Sequence, residues 1–485
     1  MPKHDGSPGL TFVYIPPYQF SSSSVQTNMS GEVLLIACYE LGHQPLSLAW
    51  PLAVLQARGV AATAVDLSVT QLPQDTAKSA AFVGIAVPMH TALRLGVRAA
   101  QQIRYLNPHA HICFYGLYAW LNADYLLDEI ADSVIAGEVE TPLAELAQTV
   151  LAGGDLTAVS GISTPAQHTA PHLGRQTFPV PLRDSLPLLT QYAHYVAEGE
   201  AVAAGYVEST RGCLHFCTHC PVVPVYNGRF FAIPVPIILA DIRQQVAAGA
   251  RHITFGDPDF LNGPSHARRV AQALHREFPG LTFDFTTKVE HILKHPKLLA
   301  ELHQLGASFV VSAFESTSNV VLQKLQKGHT AADLDRALRI LAQAKLPVHP
   351  TLVAFTPWTT LHDYIEHLTW IREQGLIPHI PTIQLAIRLL VPPNSTLLAA
   401  SDTKSWLGEL DAANFTYRWQ HPDPRMDELH EAVLSLAEAG HDDPFALFAA
   451  VERLAYNLAG RPILDWLPPP LPTVSPPRLT ENWYC

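Results

Sequence analysis

Three of the chain's six cysteines, Cys213, Cys217 and Cys220, lie in one short segment, STRGCLHFCTHCPVVP (209–224). That spacing constrains the chain more than any other feature. Thiolates spaced C-x3-C-x2-C can converge on one metal centre from a single loop, and this loop directly follows a predicted strand, GYVES (205–209). The number of ligands is informative. A closed electron-transfer 4Fe–4S cluster takes four cysteines, and a structural zinc site also takes four ligands. Three thiolates on such a cluster leave one iron open to a bidentate small molecule. The alternatives are zinc, with His215 or His219 as fourth ligand, and three incidentally buried thiols.

The surrounding pattern predicts an α/β chain. Short apolar runs such as GEVLLIA (31–37), FVGIAV (82–87), HICFYG (111–116) and SVIAG (133–137) read as buried parallel strands. Helical stretches at 46–58, 91–105 and 120–130 separate them. This alternation predicts a doubly wound, Rossmann-like domain over 31–152, after an arm at 1–30 and before a loop-rich linker at 153–200. A second alternation follows. Strands are expected at 205–209, 252–256, 282–287, 309–314, 348–355 and 383–390, with helices between them. Six strands of this kind form either another open sheet or a partial β/α barrel over 201–395. Residues 396–466 read as helical, including 405–412. The tail 467–485 is proline-rich and ends in Cys485.

Composition narrows the function classes. Hydrophobic residues make up 48% of the 485 and charged residues 15%, enough to build sizeable cores. A net charge of −12 argues against a general polyanion binder, so no nucleic-acid partner is expected. Six cysteines do not make a disulfide scaffold. Cys38 and Cys113 sit in or beside apolar strands and read as small core residues. The N-terminus lacks a secretory signal pattern, and no apolar run reaches membrane-spanning length. A cytoplasmic protein without a membrane partner is expected.

With its C-x3-C-x2-C loop after the first strand of a βα array, the segment 200–395 resembles the radical S-adenosylmethionine (SAM) superfamily. The resemblance implies a partial (β/α)6 barrel. Cys213, Cys217 and Cys220 would hold a 4Fe–4S cluster, and SAM would chelate the unique iron. Reductive cleavage would then give methionine and a 5′-deoxyadenosyl radical. An electron donor such as flavodoxin or ferredoxin is implied. FGDPDF (255–260) stands where the family has its acid-ended SAM-binding segment, giving Gly256 and Asp257, although the family's usual form is Gly-Gly-Glu. SAFES (312–316) resembles the ribose-contacting segment, giving Ser312 and Glu315. His219 occupies the place of an adenine-side aromatic. Lys288, Lys327 and Arg388 fall near predicted strand ends, where barrel sites gather.

The preceding doubly wound domain resembles the cobalamin-binding domain of cobalamin-dependent members of that superfamily. Gly116, Leu117 and Tyr118 match the turn that packs against the corrin in relatives, and AGEVE (136–140) matches a common Gly-Glu-x-Glu turn. The Asp-x-His-x-x-Gly pattern of histidine-ligated cobalamin proteins is absent, and His43 lacks its aspartate. The resemblance therefore implies cobalamin without a protein histidine as lower ligand.

The end of the chain, together with PVVPVYNGRF (221–230), resembles a subgroup whose members finish in Cys-Cys-Ala-Glu-Pro or Cys-selenocysteine-Ala-Glu-Pro. A selenocysteine codon read as a stop would leave a chain ending at Cys485, a thiol placed to act in the reaction. The function expected is cobalamin-dependent radical methylation of a small molecule. A non-methylating radical rearrangement, cyclisation or group transfer is the alternative within enzymes, and an iron–sulfur redox or metal sensor is the alternative outside them.

Overall fold

The computed structural model describes residues 32–174, 177–440, 443–462 and 475–481. The arm at 1–30, most of the proline-rich tail and Cys485 lie outside the described residues. Six strands form the first sheet: β1 (Glu32–Ala37), β2 (Ala62–Asp66), β3 (Ala80–Ala86), β4 (His111–Tyr115), β5 (Ser133–Ile135) and β6 (Ile162–Ser163). Their order is β2-β1-β3-β4-β5-β6, all parallel except β6. In β1 every residue from Val33 to Ala37 is buried, as expected of a central parallel strand covered on both faces. Cys38 and Cys113 are buried in this domain. The helix expected at 120–130 is broken at Asn122, whose side-chain amide donates to Tyr118 O, giving the helices Leu117–Leu121 and Ala123–Glu129.

The second sheet is built from β7 (His194–Ala197), β8 (Glu200–Val207), β11 (His252–Phe255), β12 (Thr282–Thr287), β13 (Ala307–Glu315), β14 (Val348–Leu352) and β17 (Arg478–Leu479). Two short antiparallel ribbons complete the strands: β9 (Thr210–Gly212) with β10 (Phe230–Ala232), and β15 (Leu407–Asp411) with β16 (Thr416–Trp419). The large sheet runs β14-β13-β12-β11-β8-β7-β17 and curls into a partial β/α barrel. Its first five strands are parallel; β7 and β17 are antiparallel additions at the edge. Residues 153–200 contribute β6 to one sheet and β7 to the other.

Two expected elements differ. The run at 383–390 is not a full strand: it is a 3-10 turn at Thr382–Ala386 followed by a single parallel bridge, Phe355 to Arg388. The Gln384 side-chain carbonyl accepts the Leu352 N–H at 2.8 Å, so a side chain replaces the ladder there. The segment at 405–412, read as helical, is β15 between 3-10 turns at Thr403–Ser405 and Ala412–Asn414. Its ribbon is held by Trp406, which packs edge-on with both Trp358 and Trp419 in a separate apolar cluster.

β17 closes the open side of the barrel. It pairs with β7 through Arg478 with Val196 and Leu479 with Tyr195. On its other side, His349 Nε2 of β14 lies 2.7 Å from Pro477 O. Leu479 is buried against Tyr195, Phe309 and Val311. A single apolar core runs from the first sheet into the barrel, taking in Leu35, Trp50, Ile162, Leu186, Val207 and Phe255.

Candidate active site at the cysteine loop

The cysteine loop leaves the barrel at the end of β8 and is framed by the β9–β10 ribbon. At its start Gly212 has a φ of +76°, and a Cβ there would come within 2.4 Å of Arg229 O, so only glycine fits. Farther along, Thr218 is tied down three times. Its N–H donates to Leu325 O, its hydroxyl donates to Lys324 O at 2.9 Å, and its carbonyl accepts the Thr396 hydroxyl at 2.6 Å.

Cys213, Cys217 and Cys220 are all free thiols, and each lies within electrostatic reach of the others. Burial pushes the Cys220 thiol up to about 12 and raises Cys213 as well. Thiols so placed ionise in return for a bound cation, which deprotonates a coordinating thiol outright. The three cysteines therefore suit a metal centre, and three donors on one loop leave room for a further ligand.

Around the loop the expected SAM-contacting residues converge, several of them with their polar atoms already engaged. Asp257 is fully buried and accepts from Ser209 N–H (2.7 Å), the Ser209 hydroxyl (2.6 Å) and the Thr210 hydroxyl (2.6 Å). Burial pushes it up to about 7 despite those bonds. It fastens the strand end from which the cysteine loop departs. Gly256 is required because a Cβ would lie 2.1 Å from the Tyr206 hydroxyl. Ser312 donates to Thr287 O at 2.7 Å. Glu315, with a φ of +63°, receives Lys327 Nζ at 2.8 Å and faces His219 Nε2 at 3.5 Å. Burial opposes the charge on Glu315, but Lys327 and His219 outweigh it and hold the carboxyl well below its usual range. Lys327 is buried too; Glu315 and the nearby Cys217 raise its pKa against that burial. His219 Nδ1 is buried without a hydrogen-bond partner among the described residues.

Lys288 is buried, 3.7 Å from Glu290. Arg388 is a structural residue: it pairs with Asp427 at 2.7 Å and stacks 3.7 Å from the Trp419 ring centre.

The first domain presents its β4 turn to this loop. Gly116 has a φ of +113°, and a Cβ there would lie 3.1 Å from Val87 O. Leu117 and Trp120 share an apolar cluster with Cys213, Cys220, Val222 and Tyr226. Tyr118 is buried beneath the same turn. Glu138 and Glu140 of the AGEVE turn reach across to Arg211, at 3.3 and 2.6 Å, and Glu138 accepts the Tyr226 hydroxyl. Arg211 also lies over the rings of Trp50 and Phe178. Ion pairs and apolar contact thus fix the Gly116 turn beside the cysteine loop. His43 is buried and stacked on Tyr206, with ring centres 4.3 Å apart.

Sequence reading missed Asn262, whose side-chain oxygen faces Cys213 Sγ at 3.7 Å and the Leu214 N–H at 3.3 Å. It also missed Asp259 and His291, which lie against His215. The two carboxylates of FGDPDF were visible in sequence, but not which of them the fold ties up.

Residues 207–371 match the Radical SAM superfamily model, so the chain contains a radical SAM domain. Among curated proteins it is similar to tRNA-2-methylthio-N(6)-dimethylallyladenosine synthases. The protein of Bdellovibrio bacteriovorus is 27% identical over 193 residues, which is 36% of this chain and 40% of that protein. That of Fusobacterium nucleatum is 30% identical over 186 residues, 34% of this chain and 40% of that protein. The match thus spans about 40% of the length of these relatives. Among solved structures, the cobalamin-dependent SAM radical enzyme OxsB with aqua-cobalamin and SAM bound has a TM-score of 0.66 at 14% identity, over 88% of this chain and 72% of that one. The radical SAM methyltransferase TsrM from Kitasatospora setae, with cobalamin and a [4Fe-4S] cluster bound, has a TM-score of 0.62 at 15% identity, over 88% and 89%. These likenesses extend over both sheets.

Proposed function

We infer that this chain, whose residues 207–371 form a radical SAM domain, is a cobalamin-dependent radical SAM enzyme that methylates a small molecule. One observation carries the reading: Leu117 and Trp120, beside the Gly116 turn, pack in the same cluster as Cys213 and Cys220. The turn proposed to face a corrin thereby stands next to the loop proposed to hold the cluster. When bound, cluster and SAM would together supply a 5′-deoxyadenosyl radical, and cobalamin a methyl group.

The chain's own residues have definite parts in this reading. Cys213, Cys217 and Cys220 hold the cluster. Asp257 and Gly256 set the strand end before the loop, and Thr218 fixes the loop's far side. Lys327 and Glu315 keep a compensated charge pair beside Cys217, and His219 offers its open Nδ1 on the SAM side. Ser312 anchors β13 to the end of β12. Gly116, Leu117 and Tyr118 form the corrin-side surface. Cys485 remains a proposed catalytic thiol in line with the tail subgroup; the described part of the tail closes the barrel edge at β17.

The net charge of −12 favours a small-molecule substrate over RNA, although the curated relatives are named for a tRNA product. A flavodoxin or ferredoxin is the proposed electron donor, and a cytoplasmic location is proposed with it. No helix among the described residues is long and apolar enough to cross a membrane.

Anaerobic reconstitution with iron, sulfide, SAM and a reductant tests the reading. Release of 5′-deoxyadenosine by the intact chain, lost in Cys213→Ala, is expected, as is cobalamin absorbance on the purified protein. A cluster-loaded chain that releases none is a sensor rather than an enzyme. A chain that releases it without binding cobalamin has a first domain that carries no cofactor.

A further inference from the structure

Beside the cysteine loop lies a second group of donors that the proposed reaction leaves unused. His215 of the loop, Asp259 after β11 and His291 of the helix Val289–Lys294 bring ligand atoms within 4.8 Å of one another. Asp259 is fully buried, and its two oxygens differ. Oδ1 accepts the Leu261 N–H at 3.0 Å and the Thr287 hydroxyl at 2.8 Å. Oδ2 has no hydrogen-bond partner among the described residues. His291 Nδ1, also buried and unbonded, stands 2.9 Å from Oδ2, close enough to bond but misaligned for it. His215 Nε2 is 3.7 Å from the same oxygen and 3.3 Å from His291 Nε2.

A buried carboxylate oxygen left bare is costly. The separations suggest what belongs there. Ligands held about 2.0–2.2 Å from one ion lie roughly 3.0–3.5 Å apart; one nitrogen of each imidazole and one carboxylate oxygen of Asp259 already lie within 4.8 Å of one another, so small side-chain shifts bring them to that spacing.

We propose that His215, Asp259 and His291 form a cation site, distinct from the cluster, for a divalent first-row transition metal ion. Two imidazoles and one carboxylate suit zinc, iron or cobalt better than magnesium or calcium, which prefer oxygen donors. The two bonds to Oδ1 orient the carboxylate, as outer partners of metal ligands do. Glu290 Oε2 lies 3.7 Å from His215 Nδ1, on the side away from the shared donors, and Lys288 lies 3.7 Å from Glu290. A bound ion would tie the cysteine loop to the segments after β11 and β12, and three protein donors would leave positions open for another ligand. The site uses no thiolate, so it stands apart from the radical SAM reading.

The test uses Co2+ as probe on the full chain carrying Cys213→Ala, Cys217→Ala and Cys220→Ala, so that thiolates cannot compete. One equivalent is expected to bind, with visible d–d absorption, no sulfur-to-cobalt charge transfer and a raised melting temperature. Asp259→Asn and His291→Ala are each expected to weaken binding by at least about 100-fold, and Thr287→Val, which releases Oδ1, by about 10-fold. Thr287→Val keeps the side-chain volume and carries the test if either ligand variant fails to fold by circular dichroism. On the cluster-loaded wild-type chain, elemental analysis should find one retained zinc beside the cluster iron. The proposal is overturned if the alanine-substituted chain binds no cobalt or if binding ignores all three variants. It is equally overturned if zinc is retained only when the cysteines are free of cluster.

Discussion

Lys327 Nζ donates to Glu315 Oε1 at 2.8 Å, and both side chains are almost wholly removed from water, against His219 of the cysteine loop. Neither charge could be buried there alone. Glu315→Ala strands the ammonium, so a loss of about 3–5 kcal/mol is expected in urea unfolding. The double variant Glu315→Leu with Lys327→Met removes both charges and should recover most of it. A double variant as unstable as the single one would show that the pair stabilises by more than mutual neutralisation.

The Gly116 turn gives a second prediction. Gly116→Ala must hold a φ of +113° and push against Val87 O. A cost of about 1–3 kcal/mol is expected for the backbone strain. Cobalamin retention after desalting should fall, while iron content at the cysteine loop stays at the wild-type level. Unchanged cobalamin retention would place the corrin elsewhere.

Leu479 makes the tail's contribution measurable. Leu479→Ala should lower stability by about 2–3 kcal/mol, the lower end for a buried leucine, because the segment can shift. The Thr480 N–H, which donates to His194 O, should exchange with solvent faster in this variant, while amides of the first sheet keep wild-type protection.

The pH profile of stability follows from buried histidines. Burial pushes His43 and His367 each down to about 4, against an ordinary value of about 6.5. Between those values the unfolded chain binds protons that the folded chain refuses, so stability rises with pH across that window. It is lost as pH falls from about 6.5 to 4, by on the order of 3 kcal/mol for each histidine. Thermal melts of His367→Leu should show a shallower acid slope than the wild type; equal slopes would mean that His367 does not drive the loss.

Legibility in the sequence depended on how local each feature is. The cysteine loop was readable because its ligands come from one short stretch, and the parallel strands because their apolar runs are continuous. The sixth strand misled because IQLAIRLL is as apolar as its neighbours. Only the fold shows Gln384 capping the Leu352 N–H in place of a ladder bond. β15 was missed because what holds it, the contact of Trp406 with Trp358 and Trp419, joins residues distant in sequence. Asp257 and Asp259 are two residues apart and chemically alike, yet one is saturated by Ser209 and Thr210 while the other keeps an oxygen without a hydrogen-bond partner among the described residues. Only three-dimensional placement separates them.

The seam of β17 with β7 is a strand only two residues long, extended by the bond of His194 to Thr480, 286 residues away. Contacts so distant in sequence cost loop-closure entropy, and a pairing that rests on so few bonds recovers little of it. The seam is therefore expected to open at lower cost than the parallel ladder behind it, which makes the β17 edge the weakest wall of the barrel.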